Sequence, residues 1–350
     1  MTATLHIEES ADVSRRTRLL QLLSDGETHS GEVLAEQLGV TRAAVWKLIS
    51  VLRDMGVDIA SHARKGYHLP HAMQLYDAAR IAALLDPAAR AQLQRIDVLL
   101  TVGSTNQYVS EHPANHNTHA VLCVAELQPD GRGRRGRAWL APFGSGICMS
   151  LGYWFDSMPN GFSALTLVVG VALIRALHGV GLKEAKLKWP NDVVIHGRKL
   201  AGVLTEMRGE AAGPTHVVIG VGCNLRIPEA TRTQLAQSQT HLADLHDELG
   251  DQTPDRNVLV AAFTVQLLEC MNLFAREGFI AFIHEWQRYD ALRDAEVKVL
   301  HGEQVLLGVA RGVTEDGSLL IETPQGIQRF TSAEVSLRAG GDDETATRHR

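Results

Sequence analysis

GRGRRGR, at residues 131–137, is the most informative stretch of the chain. An apolar run precedes it at 120–125 and another follows at 147–155, which predicts a loop between two buried strands. Its three glycines let backbone N–H groups approach a ligand closely, and its four arginines supply forked donors for phosphate or carboxylate. A nucleic-acid-binding tail can have this composition, but such a tail is rarely bracketed by buried strands. The stretch therefore predicts an anion-binding ligand loop that is neither a P-loop nor a dinucleotide fingerprint.

Polar groups also stand beside other predicted strands. Ser-Thr-Asn at 104–106 follows one strand, where it could equally be an ordinary helix cap. KWPND at 188–192 puts a cation, an amide and a carboxylate at a strand start, and buried charges of this kind need a partner such as phosphate or a metal ion. Lys199 heads a further apolar strand. Two glycines interrupt the strand at 217–225, which indicates close approach to a ligand.

Composition and charge limit the class of protein. With 350 residues, 45% apolar and 21% charged, the chain can form two or three folded domains, which excludes a disordered, collagenous or disulfide-scaffold protein. The four cysteines lie far apart, so neither a zinc site nor a disulfide framework is expected, and a reducing cytoplasm is the simplest setting. The polar start is unlike a signal peptide, and no apolar run reaches the ~18 residues of a membrane span. A net charge of −6 and 5% aromatic residues require any nucleic-acid contact to be local.

Residues 14–70 have the pattern of a winged helix-turn-helix. Apolar stripes predict three helices, with a glycine turning the chain and Thr41 capping the third helix. Strands at 57–59 and 67–69 bracket a basic hairpin tip, the wing. Five Lys/Arg against two Asp between residues 41 and 65 favour DNA binding over an ordinary solvated face. The predicted DNA contacts are Thr41, Arg42, Ala43, Trp46, Lys47, Arg64 and Lys65.

Taken in order, these motifs resemble the bifunctional biotin–protein ligase and biotin operon repressor family of bacteria. The matching strings are the stretch at 104–106, GRGRRGR at 131–137 with Trp139 beyond it, KWPND at 188–192, GRKLAG at 197–202 and GVGCN at 220–224. The resemblance covers residues 14–338 and implies an α+β multidomain chain. It implies a winged helix-turn-helix at 14–70, a central α/β class II synthetase-like biotin/lipoate ligase catalytic domain at 76–292, and an SH3-like β-barrel at 295–338. Short alternating runs after residue 296 also predict a small barrel from the sequence pattern alone.

The resemblance also implies a chemistry. Biotin and ATP would condense to biotinyl-5′-AMP and pyrophosphate with Mg²⁺ present, and a lysine of the biotin carboxyl carrier protein of acetyl-CoA carboxylase would then attack the mixed anhydride. Lys199 and Arg134 are the implied catalytic residues, and Asp192 is the implied Mg²⁺ ligand. The implied biotin-binding residues are Ser104, Thr105, Asn106, Gln128, Gly131, Arg132, Gly133, Arg134, Lys199 and Gly202. The implied ATP- and adenylate-binding residues are Arg134, Arg137, Trp139, Lys188, Asn191, Asp192, Lys199 and Asn224.

Regulation and two alternative functions stay open. Biotinyl-5′-AMP is expected to promote a homodimer through the central sheet, because a two-fold operator of biotin genes needs two reading heads. A biotin-sensing transcription factor without ligase activity would not need a cation such as Lys199 between the biotin carboxylate and the α-phosphate of ATP. A lipoate ligase would share the sheet and the adenylate mechanism, but the GRGRRGR and KWPND strings favour biotin.

Two stretches near these motifs carry expectations of their own. Asp130, beside the ligand loop, departs from the family pattern and is expected to point outward, since an inward carboxylate would weaken phosphate binding. Residues 229–255 are expected to form a surface excursion before a helix at 257–277.

Overall fold

The computed structural model describes residues 11–337, apart from 63–64, 71, 117–119, 160, 210–212, 237–240, 302–303 and 332–333. Arg64, a predicted DNA contact, and the tail at 339–350, predicted to be disordered, lie outside the described residues. Within the described part, the chain forms an N-terminal helical unit, a central mixed sheet with helices, and a small C-terminal sheet.

Three helices and a short hairpin make up the N-terminal unit. They are α1 (Ala11–Leu23), α2 (Gly31–Leu38), α3 (Arg42–Asp54), β1 (Ala60–His62) and β2 (Gly66–His68). Thr41 Oγ1 accepts a hydrogen bond from the N–H of Ala44 and so caps α3, as predicted. Gly39 turns the chain at φ 63°, a left-handed conformation that suits glycine. The helix-turn-helix pattern is confirmed.

The first wing strand lies further along the chain than predicted. Residues 57–59 are a connector, and the paired strand begins at Ala60. Arg53 donates to the carbonyl oxygen of Ile59 from Nε at 2.9 Å and from Nη2 at 2.6 Å, which occupies an acceptor that a partner strand would otherwise use. The apolar alternation at 57–59 therefore reflects burial against the helices.

Seven strands form the central sheet, in the order β3-β4-β5-β9-β8-β7-β6. Their bounds are β3 (Leu93–Thr101), β4 (Ala120–Leu127), β5 (Gly146–Phe155), β6 (Lys186–Lys188), β7 (Asp192–Ile195), β8 (Arg198–Gly209) and β9 (Thr215–Asn224). β3 and β4 run parallel, and the other neighbouring pairs run antiparallel. The ligand loop joins β4 to β5, which confirms its predicted place between two buried strands.

Helices cover both faces of this sheet, and most lie on one face. They are α4 (Ala78–Leu84), α5 (Pro87–Gln92), α6 (Thr105–Glu111), α7 (Leu165–Gly179), α8 (Glu229–Ala236), α9 (Leu245–Leu249), α10 (Arg256–Glu277) and α11 (Ile283–Tyr289). α7 and α10 pack against each other and against the sheet, where Val217, Ile219 and Val221 of β9 join the main core. The alternate residues Gly220 and Gly222 face the other side, where a cleft is built.

Two segments reach the length and apolarity of a membrane span, which corrects the expectation that none would. They are Phe162–Gly179, which includes α7, and Arg256–Glu277, which is α10. In the most apolar part of each segment, 67% and 56% of the residues are buried, because both helices pack against the central sheet in the main core. Their composition is that of core helices.

Residues 241–245 are not part of the surface excursion predicted for 229–255. The N–H of Lys199 donates to the carbonyl of His241 at 2.8 Å, and the N–H of Ala243 donates to the carbonyl of Lys199 at 2.9 Å. Ala243 is fully buried. The prediction was wrong here because a polar composition concealed a short strand-like pairing that holds the backbone of Lys199.

The C-terminal strands form a five-stranded antiparallel sheet in the order β13-β12-β11-β10-β14. Their bounds are β10 (Glu296–His301), β11 (Gln304–Val313), β12 (Leu319–Thr323), β13 (Gly326–Phe330) and β14 (Glu334–Leu337). These strands confirm the short alternating runs predicted from the sequence. Trp189 Nε1 donates to the carbonyl of Gly317 at 3.0 Å, which ties the KWPND turn to the residues just before β12.

The N-terminal unit packs directly on the base of the ligand loop. Its apolar core includes Leu100 of β3 and Phe143, which lies just before β5. The N–H of Met73 donates to the carbonyl of Ser24 at 2.9 Å, and the Met73 side chain lies 3.3 Å from where a Cβ on Gly144 would stand. The helix-turn-helix unit and the ligand loop thus share a packed boundary.

Asp290, between α11 and the C-terminal strands, supports a prediction about pH. It is 8% exposed, and burial raises the pKa of its carboxyl from 3.8 to about 6. A carboxyl whose pKa is higher in the folded than in the unfolded protein stabilises the fold at pH values below its unfolded pKa. That stabilisation is lost as the pH rises through the folded pKa of about 6, because the buried carboxyl then ionises. Asp290→Asn is therefore expected to raise the free energy of unfolding by about 2–3 kcal/mol near pH 7.5 and to change it little near pH 4. Urea denaturation at both pH values measures this, and an equal effect at the two would contradict it.

Candidate active site

A cleft of about 1190 Å³ opens on the face of the central sheet opposite α7 and α10. It brings together most of the residues that the sequence pointed to. The predicted residues on its lining are Ser104, Thr105, Asn106, Gln128, Arg132, Gly133, Arg134, Arg137, Trp139, Lys188, Asn191, Asp192, Lys199, Gly202 and Asn224. Gly131 is buried beside the lining, and its carbonyl accepts from the N–H of Trp139 at 2.8 Å.

Polar side chains without charge close one end of the cleft. Ser104 caps α6 through its side chain, so the helix-cap interpretation of the 104–106 stretch is confirmed alongside its place at the cleft. Thr105 donates to Gln128 Oε1 from its backbone nitrogen at 2.6 Å and from Oγ1 at 2.8 Å. Asn106 Nδ2 donates to Glu206 at 2.7 Å. This neutral end presents hydroxyl and amide groups suited to a polar, uncharged ring.

The ligand loop folds back on itself and reaches across the cleft. The N–H of Gly133 donates to the carbonyl of Arg137 at 2.7 Å, which closes a tight turn. Arg135 stands in this turn at φ 56°, a left-handed conformation that costs a non-glycine residue free energy. Arg134 Nη1 donates to Asn191 Oδ1 at 3.5 Å, so the loop meets the KWPND turn.

Trp139 fills the middle of the cleft against two glycines. A Cβ on Gly222 would lie 2.3 Å from the Trp139 ring, and a Cβ on Gly202 would lie 3.3 Å from it. Any side chain at 222 would displace the indole, which explains why glycine interrupts β9 at this point. Lys199 Nζ lies 5.6 Å from the centre of a Trp139 ring.

Charged side chains form the cationic end of the cleft. Lys199 Nζ and Asp192 Oδ1 are 2.6 Å apart, and the two side chains are 27% and 23% exposed. Lys188 stands opposite Asp192 in the register of β6 and β7. In all, seven lysine and arginine residues and two carboxylates, Glu184 and Asp192, line the cleft. This excess of positive charge favours a polyanion.

Asn224 lines the cleft but uses its amide donors on the backbone. Its Nδ2 donates to the carbonyl of Lys199 at 3.2 Å and to the carbonyl of Ala243 at 3.0 Å. The residue is 6% exposed. Asn224 thus positions the strand that carries Lys199, a contact that no short-range pattern in the sequence could reveal.

Asp130 is not on the lining of the cleft, which agrees with the expected outward orientation. It is exposed, and its N–H donates to the carbonyl of Gly103 at 3.0 Å. Its Oδ2 would lie 3.0 Å from a Cβ on Gly103. The carboxylate therefore occupies space beside the start of α6, where its charge is screened by solvent.

The cysteines offer no nucleophile. Cys123, Cys148, Cys223 and Cys270 are buried and free. Burial raises the pKa of Cys148 to about 11 and that of Cys223 and Cys270 to about 12. Their thiols stay protonated near neutral pH, so the chemistry of the cleft does not depend on a thiolate.

Sequence reasoning missed Ser150 and Glu206, which hold the neutral end from behind. Ser150 is fully buried, with Oγ 2.7 Å from Thr105 Oγ1. The available signal was a single polar residue within the apolar run of β5, on the same face as Cys148 and Gly152. Glu206 gave no signal, because a carboxylate near the end of a strand is common.

The outer face of α3 is exposed, as predicted for a DNA-reading helix. Trp46 is 59% exposed. Thr41, Arg42, Ala43, Lys47 and Lys65 are exposed as well. Arg42 Nη1 lies 3.0 Å from Glu32 Oε1, a surface ion pair that phosphate could displace.

Comparison with known proteins agrees with this organisation. Residues 99–224 match the Biotin/lipoate A/B protein ligase family, residues 15–68 match an HTH domain, and residues 295–338 match the Biotin protein ligase C terminal domain. The chain is 37% identical to the bifunctional ligase/repressor BirA of Salmonella typhimurium and 36% identical to that of Escherichia coli; each match covers 92% of this chain and 97% of the relative. Its structure resembles the biotin protein ligase of Aquifex aeolicus in complex with biotin and ATP, at 28% identity and a TM-score of 0.58, over 69% of this chain and 98% of that one.

Proposed function

Because the chain belongs to the biotin protein ligase family, and to its bifunctional ligase/repressors in particular, we propose that it activates biotin with ATP and transfers it to a carrier protein. It is a biotin–protein ligase that also carries a DNA-binding repressor unit. The observation that carries the ligase is a single cleft with a neutral polar end at Thr105 and Gln128 and a cationic end at Lys199 and Arg134.

The neutral end is proposed to bind the ring system of biotin. A ureido group has N–H donors and a carbonyl acceptor, and hydroxyl, amide and peptide groups can match both. The proposed contacts are Ser104, Thr105, Asn106, Gln128, Gly131, Arg132 and Gly133. The aliphatic chain that leads to the carboxylate is proposed to pass Gly202, where the absence of a Cβ lets Lys199 and Trp139 come close to the sheet.

Lys199 is proposed to bring the biotin carboxylate and the α-phosphate of ATP together. A carboxylate oxygen attacks the α-phosphorus, the bond to the bridging oxygen breaks, and pyrophosphate leaves with the electron pair. The ammonium of Lys199 neutralises the charge that builds between these anions. Arg134 and Arg137 would hold phosphates and retain biotinyl-5′-AMP, while Lys188 and Asn191 would hold the triphosphate.

Mg²⁺ is proposed to bind at Asp192 together with phosphate oxygens of ATP. Among the described residues, no group of three His, Cys, Asp or Glu side chains could hold a metal ion by itself. Mg²⁺ in nucleotide sites uses one or two carboxylates, with phosphates and water as the other ligands. Asp192, one of two carboxylates on the cleft lining with Glu184, therefore fits a nucleotide-borne ion, which would neutralise charge on the triphosphate.

Transfer to the carrier protein completes the proposed reaction. Trp139, near Asn224, would offer an apolar face to adenine and keep the adenylate in the cleft. The amine of a carrier lysine attacks the carbonyl of the mixed anhydride, an amide forms and AMP leaves. These steps need positioning and charge neutralisation but no protein nucleophile, which agrees with the protonated thiols.

The finer architecture is part of the proposal. The five-stranded sheet is proposed to be an SH3-like barrel, and the central domain to be class II synthetase-like. The proposed domain limits are 14–70, 76–292 and 295–338, and the family matches at 15–68, 99–224 and 295–338 fall within them. A reducing cytoplasm suits four buried cysteines that form no disulfide.

Repression is proposed to require a ligand-dependent homodimer, with biotinyl-5′-AMP as corepressor and a two-fold operator of biotin genes as target. Two copies place two α3 helices on the operator. Sedimentation velocity at micromolar protein is expected to show a shift toward dimer with biotin and ATP, accompanied by tighter operator binding. A chain that stays monomeric with both ligands, and binds the operator no more tightly, would remove this part of the proposal.

Transfer of labelled biotin to a purified biotin carboxyl carrier domain, with ATP and Mg²⁺, tests the ligase directly. Biotin is expected on the carrier lysine, and excess lipoate is expected not to compete. Tight biotin binding without transfer would indicate a sensor instead, and transfer of lipoate would indicate the other branch of the matched family.

A further inference from the structure

Trp46 lies on the outer face of α3 and is 59% exposed. Of the aromatic side chains in the described part of the chain, it is the only exposed one, since every other Phe, Trp and Tyr is buried or half-buried. A tryptophan carries a large apolar area and is common where a protein meets a partner. The side chains around Trp46 on α3 indicate the chemistry of that partner.

Ala43 and Trp46 form an apolar strip on this face. They are three residues apart, which makes them neighbours on a helix surface, and both are exposed. The residues of α3 that face the core are Val45, Ile49 and Leu52. The apolar strip therefore faces away from the core of the N-terminal unit.

A cation stands on each side of the apolar strip, and both cations are exposed. Arg42 precedes Trp46 by four residues, so it lies about 40° to one side around the helix axis. Lys47 follows Ala43 by four residues and lies about 40° beyond the other side. Arg42 forms an ion pair with Glu32, and the two side chains are 70% and 75% exposed, so a phosphate can displace the carboxylate. This arrangement matches a surface on which anions border an apolar group.

The major groove of DNA is such a surface at a thymine. Trp46 is the fifth residue of α3, and recognition helices place their N-terminal residues at base edges, with phosphates on both sides of the groove. Base edges in that groove present hydrogen-bond donors and acceptors, and the C5-methyl group of thymine is their apolar group. An indole offers carbon atoms over most of its surface and a single N–H donor, so it fits a methyl group better than a set of acceptors.

We propose that Trp46, together with Ala43, determines part of the operator sequence by contact with the C5-methyl group of a thymine in the major groove. Arg42 and Lys47 hold phosphates on either side of the apolar strip, so they add affinity without sequence preference. The inference rests on the proposed function, in which α3 of each copy lies on a DNA operator.

Replacing thymidine with deoxyuridine tests this, because the replacement removes only the C5-methyl group. The probe is a duplex that the full chain selects from a random-sequence pool with biotin, ATP and Mg²⁺ present. Fluorescence anisotropy at one salt concentration is expected to show about fivefold weaker binding by the wild type for at least one thymidine. In Trp46→Ala the same replacements should change the affinity by less than about twofold. Wild type and Trp46→Ala should bind unselected random-sequence duplex within about twofold of each other, since the phosphate contacts are retained.

Val51→Ala is the matched control, and Trp46→Phe is the conservative variant. Val51 is 39% exposed on the same helix, about 140° around the axis from Trp46, and its loss should leave the wild-type response to deoxyuridine. Trp46→Phe keeps an aromatic ring and should retain a response of about threefold. An equal response in wild type and Trp46→Ala, or no response in the wild type, would overturn the role of Trp46 while operator binding stands. A wild type that selects no sequence from the pool would instead remove operator binding from the proposed function.

Discussion

Replacing Lys199 with alanine is expected to slow biotin-dependent adenylate formation by about 10²–10³-fold, or ~3–4 kcal/mol of barrier. The backbone of Lys199 is held by hydrogen bonds to His241 and Ala243, and its Nζ lies 2.6 Å from Asp192 Oδ1. A cation on a fixed backbone needs little reorganisation when two anions meet, so its loss appears in the transition state. Exchange of labelled pyrophosphate into ATP, measured with biotin present, reports this step before any transfer to a carrier.

Two further variants show whether Lys199→Ala acts through the loss of the positive charge at this position. Lys183→Ala removes an exposed lysine that donates to the carbonyl of His178 at 2.7 Å, and it should exchange at the wild-type rate. Lys199→Arg keeps the charge but spreads it over a planar group, and it should recover only part of the rate. If Lys199→Ala still exchanged within about threefold of wild type, the central role would pass to Arg134.

Short-range patterns predicted most of the secondary structure. That Thr41 caps α3 and that the ligand loop joins β4 to β5 were predictable, because helix caps and buried strands depend on residues that are neighbours in the sequence. The wing strand was misplaced because Arg53 reaches the carbonyl of Ile59, six residues on, which no propensity encodes. Residues 241–245 were misjudged for a similar reason: their pairing with Lys199 joins stretches more than forty residues apart.

The types of residue in the candidate site were predictable, whereas their partners were not. Glycine and arginine in the ligand loop and the charged KWPND turn pointed to an anion site on chemistry alone. The sequence could not show that Asn224 positions the strand of Lys199, since that contact depends on the register of β8 and β9. Nor could it show that Ser150 of β5 lies behind Thr105, since that contact depends on how α6 packs on the sheet. Alternation marks which residues share a face, and long-range packing then decides which of them touch.

Arg256→Met is expected to lower the free energy of unfolding by about 3–5 kcal/mol, because it leaves the buried carboxylate of Glu126 without its ion-pair partner. Arg256 and Glu126 are 3% and 6% exposed, and Arg256 Nη1 lies 2.6 Å from Glu126 Oε2. The guanidinium lies 3.9 Å from the centre of the Tyr76 ring, and its Nη2 donates to the carbonyl of Gly146 at 3.1 Å. Glu126 lies on β4 before the ligand loop and Gly146 starts β5 after it, so the pair also holds both ends of the loop. Urea denaturation with and without biotin measures both consequences, and weaker biotin binding should accompany the loss of stability.

A double-mutant cycle isolates the ion pair from the packing. Arg256→Met with Glu126→Gln leaves no buried charge, and the glutamine oxygen can still accept the N–H of Tyr76, which donates to Glu126 Oε1 at 2.7 Å. The double variant is therefore expected to be more stable than either single variant, by about 2 kcal/mol or more. Arg175→Met breaks a matched pair with Glu285 in which the side chains are 32% and 26% exposed, and it should cost about 1 kcal/mol, since solvent can rehydrate the carboxylate left behind. Equal losses of unfolding free energy from Arg256→Met and Arg175→Met would show that burial does not determine the effect of breaking the Arg256–Glu126 pair. Additive losses of unfolding free energy in the double-mutant cycle would show that the charges of Arg256 and Glu126 are not coupled.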